Sequence, residues 1–167
     1  PSSSGKTLRL SISNGATIAV NSPSFQGGNL NIQTFDLILD NGSLRADIGS
    51  PDLEGTTTES GANIDLVVGQ LLFMRNNRLI SARARGDANG GTLNIDAPFP
   101  IALVSCPFGN DIVATAEGGD GGTIDIKAEG LIGFIQRKAI DDDGNRIRNF
   151  TNDIDVSSEG GNAGILI

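Results

Sequence analysis

Carboxylate groups give this chain its clearest potential for chemistry, because they bind cations and carry protons. Three adjacent aspartates precede a glycine at position 144: Asp141, Asp142 and Asp143. With Gly144 at position 6 of an EF-hand loop, positions 1 and 12 would be Ala139 and Phe150, where that motif needs acidic ligands. An EF-hand is therefore excluded. Two interpretations stay open, a looser surface Ca²⁺ site and a solvated acidic loop, and no other cofactor is expected.

A second candidate group is a local concentration of arginines: Arg75, Arg78, Arg83 and Arg85. If the segment forms alternating strands, these side chains should face outward. They could then contact an acidic polysaccharide. The simpler alternative is that they balance charge and protect strand edges from unwanted pairing.

Catalysis by a β-helix polysaccharide lyase or hydrolase would need carboxylates, Ca²⁺ and arginine on one outer face. Asp65, Asp96 and Asp125 are the residues that could supply such a site. The chain has no histidine, which excludes a Ser-His-Asp triad, a Cys-His pair and an imidazole metal site. It also has no Trp or Tyr for aromatic subsites. We therefore expect that the protein is not an enzyme.

The charge balance limits the partners. Twelve Lys and Arg against 20 Asp and Glu give a net charge of −8, which argues against nucleic acid and anionic membranes. No apolar run is long enough for a membrane-spanning helix. The single cysteine, Cys106, follows an apolar run and is expected to be a small buried side chain. The alternative is an exposed thiol that links two chains.

An internal repeat is the strongest signal in the chain. Six-residue copies stand at 27–32 (GGNLNI), 61–66 (GANIDL), 90–95 (GGTLNI) and 121–126 (GGTIDI), with degraded copies at 5–10 (GKTLRL) and 162–167 (NAGILI). A further apolar stretch and then a short alternating strand follow most copies, and Gly, Asn, Asp and Ser separate them. Each unit thus holds about three short strands, and units of this size bury their apolar faces only by stacking.

Stacking the copies predicts columns of equivalent side chains, because alternate residues of a strand face opposite sides. One inward column would contain Leu8, Leu30, Ile64, Leu93, Ile124 and Ile165. A second would contain Leu10, Ile32, Leu66, Ile95, Ile126 and Ile167. The outward column between them would contain Arg9, Asn31, Asp65, Asn94 and Asp125. The paired glycines are expected at a corner where two backbones approach closely.

The predicted fold is an all-β, right-handed parallel β-helix (a β-solenoid) of about five three-sided coils. Residues 1–167 would form one domain, with coils starting near residues 5, 27, 61, 90, 121 and 162. The later, apolar strands of the units would include Leu44 and Ala46, then Leu79 and Ser81. A helix over residues 70–85 is the weaker alternative, because it contradicts the repeat. Polar insertions are expected at residues 48–60 and 137–151.

These units resemble one family. GGNLNIQT, LILDNGSL, GGTLNIDAPF, GGTIDIKAEGLIGF and TNDIDVSSEGG are similar to the C-terminal repeats of cyanobacterial filamentous-haemagglutinin-like exoproteins of the two-partner-secretion type. The resemblance covers nearly the whole chain. It implies a right-handed parallel β-helix and secretion to the cell surface, where most members are adhesins or surface proteins. It assigns no functional residues.

The expected function is that of an extracellular structural or adhesive segment of a surface or filament-forming protein. The final residues, Ile165 to Ile167, begin a new coil, so the chain is expected to be a segment of something longer. Neither end shows a polar cap, which predicts that the missing chain or a stacked copy covers both ends. The alternative is a glycan- or protein-binding module that uses the insertions at 48–60 and 137–151.

Overall fold

A computed structural model describes residues 8–22, 27–49, 61–76, 78–104, 109–133 and 152–167. Within these ranges the chain forms strands and turns, and every strand pair is parallel. The strands are β1 (Arg9–Ser13), β2 (Thr17–Ala19), β3 (Asn29–Asp40), β4 (Ser43–Arg45), β5 (Asn63–Arg75), β6 (Leu79–Ser81), β7 (Thr92–Ala97), β8 (Ile101–Val104), β9 (Asp111–Val113), β10 (Thr123–Ala128), β11 (Leu131–Ile132), β12 (Asp153–Asp155) and β13 (Ile165–Leu166). The predicted all-β parallel solenoid is confirmed.

The strands line three faces. Face 1 stacks the first half of β3, the first half of β5, then β7, β10 and β13. Face 2 stacks β1, the second halves of β3 and β5, then β8 and β11. Face 3 stacks β2, β4, β6, β9 and β12, one strand from each of five successive coils. Coil 1 contains β1 and β2, coil 2 contains β3 and β4, and so on to coil 5, which contains β10 to β12.

The bend between faces 1 and 2 lies inside β3 and β5. The register shifts there, because coil 2 has the single residue Phe35 where coil 3 has Gly69 and Gln70. The hydroxyl of Thr34 donates to the carbonyl oxygens of Leu8 and Asp36, at 2.8 and 3.0 Å. These bonds satisfy carbonyl groups at the point where the chain turns.

The core consists of inward columns of aliphatic side chains. On face 1, Leu30, Ile64, Leu93 and Ile124 stack, and three of the four are fully buried. Leu37, Leu72 and Ile101 form the corresponding column of face 2 and are also fully buried. The glycines at the corner before face 1 allow close approach, since a Cβ on Gly91 would overlap the carbonyl oxygen of Ala62. The predicted role of these glycines is confirmed.

The register of the first and last strands differs from the prediction. β1 pairs with the second half of β3, so Leu10 stacks on Leu37 rather than on Ile32. At the other end Leu166, not Ile165, pairs with Ile124. The columns predicted to contain Leu8, Leu10, Arg9, Ile165 and Ile167 are therefore wrong at those positions. The two errors differ in kind: β1 belongs to face 2 rather than face 1, whereas residues 165–167 are consecutively apolar, so alternation does not indicate which of them faces inward.

Two further expectations are corrected. In coil 3 the inward residues of face 3 are Ile80, which pairs with the fully buried Leu44, and Ala82, rather than Leu79 and Ser81. The alternative helix over residues 70–85 is also wrong, because Leu71 to Arg75 belong to β5 and Leu79 to Ser81 form β6. The parallel neighbours on both sides supply the backbone hydrogen bonds that a helix would have made internally.

Candidate binding surface

Among the described residues, phenylalanine lies towards the outside of the solenoid. Each phenylalanine among the described residues lies at or beside an outward position of face 2: Phe35, Phe73 and Phe99. Phe35 is 41% exposed and Phe99 is 47% exposed. The buried core of the same residues uses aliphatic side chains instead. Exposed aromatic side chains that cluster on one surface typically mark a binding site.

The alternation of β5 explains the orientation of Phe73. Its neighbours Leu72 and Met74 are fully buried, so the side chain between them must point outward. The column through Phe73 continues as Ile38 below and Ala102 and Ile132 above. The matching outward column of face 1 is polar: Asn31, Asp65, Asn94 and Asp125. From coil 2 onwards the central outward column of face 2 is therefore apolar, whereas the matching column of face 1 is hydrophilic.

Two ion pairs flank the apolar surface of face 2. Nε and Nη2 of Arg9 donate to Oδ2 of Asp36, at 3.1 and 3.0 Å. Nη2 of Arg75 donates to Oδ2 of Asp40 at 2.5 Å, and the Arg75 guanidinium lies 5.9 Å from the centre of the Phe73 ring. The hydrogen bonds from Arg75 and Asn76 lower the pKa of the Asp40 carboxyl below its usual value. Each pair is internally neutral.

A groove of about 350 Å³ lies at the corner between faces 1 and 2. Its apolar lining comes from Leu71, Phe99 and Pro100, and its polar lining comes from Arg9, Asp36 and Gln70. The Asp36 side chain is 7% exposed and that of Arg9 is 63% exposed, so a buried carboxylate holds an exposed guanidinium in place. Small-molecule sites combine an apolar wall with a few oriented polar groups in the same way.

The predicted arginine cluster does not form one surface. Arg75 lies at the end of face 2, and Arg83 and Arg85 lie on or next to face 3. Arg78 is only 8% exposed, and its Nε donates to the carbonyl oxygen of Arg75 at 3.1 Å. The expectation that all four face outward is therefore wrong for Arg78, which lies in the buried turn between faces 2 and 3.

A polar network covers face 3 beside these arginines. Asp47 accepts hydrogen bonds from Nε of Arg45 at 2.7 Å and from the hydroxyl of Ser81 at 2.5 Å. Nε of Arg83 donates to the hydroxyl oxygen of Thr115 at 3.2 Å. A cavity of about 400 Å³ next to this network is lined by residues that include Asn21, Arg45 and Arg85. The side chains satisfy one another, so the network mainly holds neighbouring coils in register.

Acidic residues gather further along face 3. Asp111 pairs with Asp153, and Asp155 lies two residues further along β12. Burial raises the pKa of the Asp111 carboxyl, and the charge of Asp153 adds to the effect. Coils 4 and 5 therefore bring like charges together at some cost in stability.

The carboxylates proposed for catalysis are spread over face 1. Asp65 and Asp125 share one outward column, with Asn94 between them, and Nδ2 of Asn94 donates to Oδ1 of Asp65 at 2.6 Å. Asp96 lies in the next outward column, paired with Lys127. No group of three or more Asp, Glu, His or Cys residues is arranged to hold a metal ion in the described ranges. Asp141, Asp142, Asp143 and Cys106 lie outside the described residues, as do residues 137–151 and most of residues 48–60.

Comparison with known proteins identifies no relative. No protein-family model, no curated protein and no solved structure matches this chain. None of the described residues belongs to a helix long and apolar enough to cross a membrane.

Sequence reasoning missed the outer surface of face 2. The further apolar stretch of each unit, at residues 35–39 and 99–104 among others, predicts a strand but does not indicate which side of it faces outward. The available signal was composition: phenylalanine occurs in these stretches but not in the six-residue repeat copies that supply the face 1 core.

Proposed function

We propose that this chain is a structural and adhesive segment of an extracellular β-solenoid, in which a following coil covers its terminal strands. The proposal rests on the exposed fractions of paired side chains in neighbouring coils. Leu131 shares an inward column with Ile101, yet Leu131 is 42% exposed while Ile101 is fully buried. Leu166 is 54% exposed, whereas its partner Ile124 is fully buried. A further coil at this end would bury both leucines.

Two sources can supply that coil. It can come from further residues of a longer chain or from a second copy that stacks end to end. In either case the open edge of β13 continues the parallel ladder, and covering such an edge prevents indiscriminate pairing. A head-to-tail stack of copies does not close on itself and therefore grows into a filament.

Electron microscopy of the full chain at several concentrations tests end-to-end stacking. Five coils at the strand spacing predict filaments with a repeat of roughly 25 Å. Leu166→Lys places a charge in the proposed junction and should abolish the filaments. Asn94→Lys, at an exposed position in the middle of face 1, is the matched control and should leave them intact. Wild-type chain that remains a uniform monomer at high concentration would contradict stacking between copies.

The extracellular location rests on the family resemblance and needs its own test. Antibody labelling of intact and permeabilised source cells distinguishes the alternatives. Labelling of intact cells is expected, and labelling that requires permeabilisation would contradict the proposal.

A further inference from the structure

We propose that the groove at the corner between faces 1 and 2 binds a neutral, extended polysaccharide. This inference names a partner for the adhesive role proposed above, but it depends on different residues from the end-to-end contacts. It rests on the lining of the groove, on its charge and on its direction along the solenoid.

The lining matches the two-sided chemistry of a pyranose ring. Such a ring presents a C–H face to apolar or aromatic groups and a hydroxyl edge to hydrogen-bonding groups. Phe99, Pro100 and Leu71 supply an apolar wall, and the exposed amide of Gln70 supplies both a donor and an acceptor. Arg9 adds guanidinium N–H groups, since only two of its five N–H groups are needed for the bonds to Asp36.

Asp36 is a positioning residue in this arrangement. Its side chain is 7% exposed, and the bonds of 3.0 and 3.1 Å to Arg9 fix the guanidinium at the rim of the groove. A donor that is already held in place loses less conformational entropy when a ligand hydroxyl binds to it.

The charge of the groove favours a neutral ligand. The charge of Asp36 offsets that of Arg9, and Gln70 is uncharged, so the lining has no net charge. The whole chain carries a net charge of −8, which repels polyanions. Acidic glycans would meet long-range repulsion without a compensating cationic site.

The direction of the groove favours an extended chain over a single sugar. Its lining runs from Arg9 in coil 1 through Asp36 and Leu71 to Pro100 in coil 4. Three coil spacings of about 4.8 Å correspond to a length of roughly 14 Å. Phe99, which lines the groove, is exposed and provides a stacking position. Phe35, two coils below at the same bend, is also exposed but does not line the groove.

Affinity electrophoresis of the full chain in gels that contain one soluble polysaccharide tests the proposal. Laminarin, dextran and hydroxyethylcellulose are the neutral probes, and alginate and heparin are the anionic ones. We expect at least one neutral probe to retard the wild-type chain and the anionic probes to have no effect. Absence of retardation by every neutral probe would overturn the proposal, as would binding to the anionic probes alone.

Substitutions locate the site. Phe99→Ala should weaken binding about tenfold, the equivalent of about 1.4 kcal/mol, while Phe99→Tyr keeps the ring and should retain binding. Val67→Ala, which shortens an exposed side chain on face 1, is the matched control. Circular dichroism verifies that each variant folds. Retention of full affinity by folded Phe99→Ala would place the binding elsewhere and overturn the assignment.

The proposals of end-to-end stacking and of polysaccharide binding can be tested independently. Leu166→Lys, the variant designed to prevent stacking, should still bind the neutral probe. Conversely, Phe99→Ala should still form filaments, because Phe99 lies away from β13.

Discussion

The side-chain oxygen of Asn152 accepts two hydrogen bonds from Asn110 in the preceding coil, at 2.8 Å from its backbone nitrogen and 2.9 Å from its side-chain nitrogen. Both residues are buried. The Asn110 oxygen in turn accepts from the backbone nitrogen of Arg78 at 3.2 Å, and its amide also donates to the carbonyl of Val104 at 3.1 Å. This asparagine ladder satisfies backbone groups where the described chain enters face 3.

Removing one asparagine of this ladder should therefore lower the stability of the fold. Asn110→Ala leaves buried backbone groups without partners, and we expect it to lower the free energy of unfolding by about 3 kcal/mol. Urea denaturation followed by circular dichroism measures the change. Asn94→Ala, which removes an exposed asparagine, should change stability by no more than about 0.5 kcal/mol. Equal effects of the two substitutions would contradict a special role for the buried turn.

The raised pKa of Asp111 predicts a pH-dependent substitution effect. Between its unfolded and folded pKa values the folded state binds more protons, so stability decreases as pH rises through this window. Asp111→Asn removes the buried charge and should raise the urea midpoint at pH 7. Below the unfolded pKa the advantage should disappear, because the wild-type carboxyl is then neutral in both states.

Asp40 is the control for that experiment, because its pKa is shifted in the opposite direction. Its pKa is lowered by hydrogen bonds from Arg75 and Asn76, so its contribution to stability is present at neutral pH and lost as pH falls through the folded pKa. Asp40→Asn should therefore lower the urea midpoint slightly at pH 7 and have no effect in strong acid. A shift of the same sign in both variants would contradict the assignment.

The glycine corner should tolerate no side chain. Gly91→Ala places a Cβ against the carbonyl oxygen of Ala62, and the tightly stacked backbones leave no direction in which to move. We expect a loss of 2 kcal/mol or more, on the order of that seen for overpacked cores, measured by thermal unfolding. Gly130→Ala is the matched control, because a Cβ there meets nothing within 4 Å. It should be neutral or stabilise by up to about 1 kcal/mol.

Two adjacent leucines test the assignment of inner and outer sides on face 2. Leu72 is fully buried, and Leu72→Ala should cost about 2–5 kcal/mol through lost contacts and the cavity that remains. Leu71 lies on the outer side and lines the groove, so Leu71→Ala should cost about 1 kcal/mol or less. Chemical denaturation measures the loss of stability in both variants. A larger loss for Leu71→Ala than for Leu72→Ala would contradict the orientation of β5.

The sequence determined the parallel stack and its face 1 core. Four copies of one short motif, three beginning with Gly-Gly and one with Gly-Ala, place alternating apolar residues at equivalent positions, and all four bury these residues only when the copies stack in register. The stacking of Leu30, Ile64, Leu93 and Ile124, with Asn94 separating Asp65 from Asp125 on the outside, follows from the period of two along each strand.

Tertiary structure decided the register of β1 and β13 and the outward positions of Phe35, Phe73 and Phe99. The segment from Leu71 to Met74 is apolar throughout, so alternation cannot indicate which residues face inward. Which residues face inward depends on the bend between faces 1 and 2, where coil 3 has one residue more than coil 2. One added residue turns every following side chain of the strand to the opposite side. The groove follows from that bend, because the bend brings residues from four successive coils to one corner.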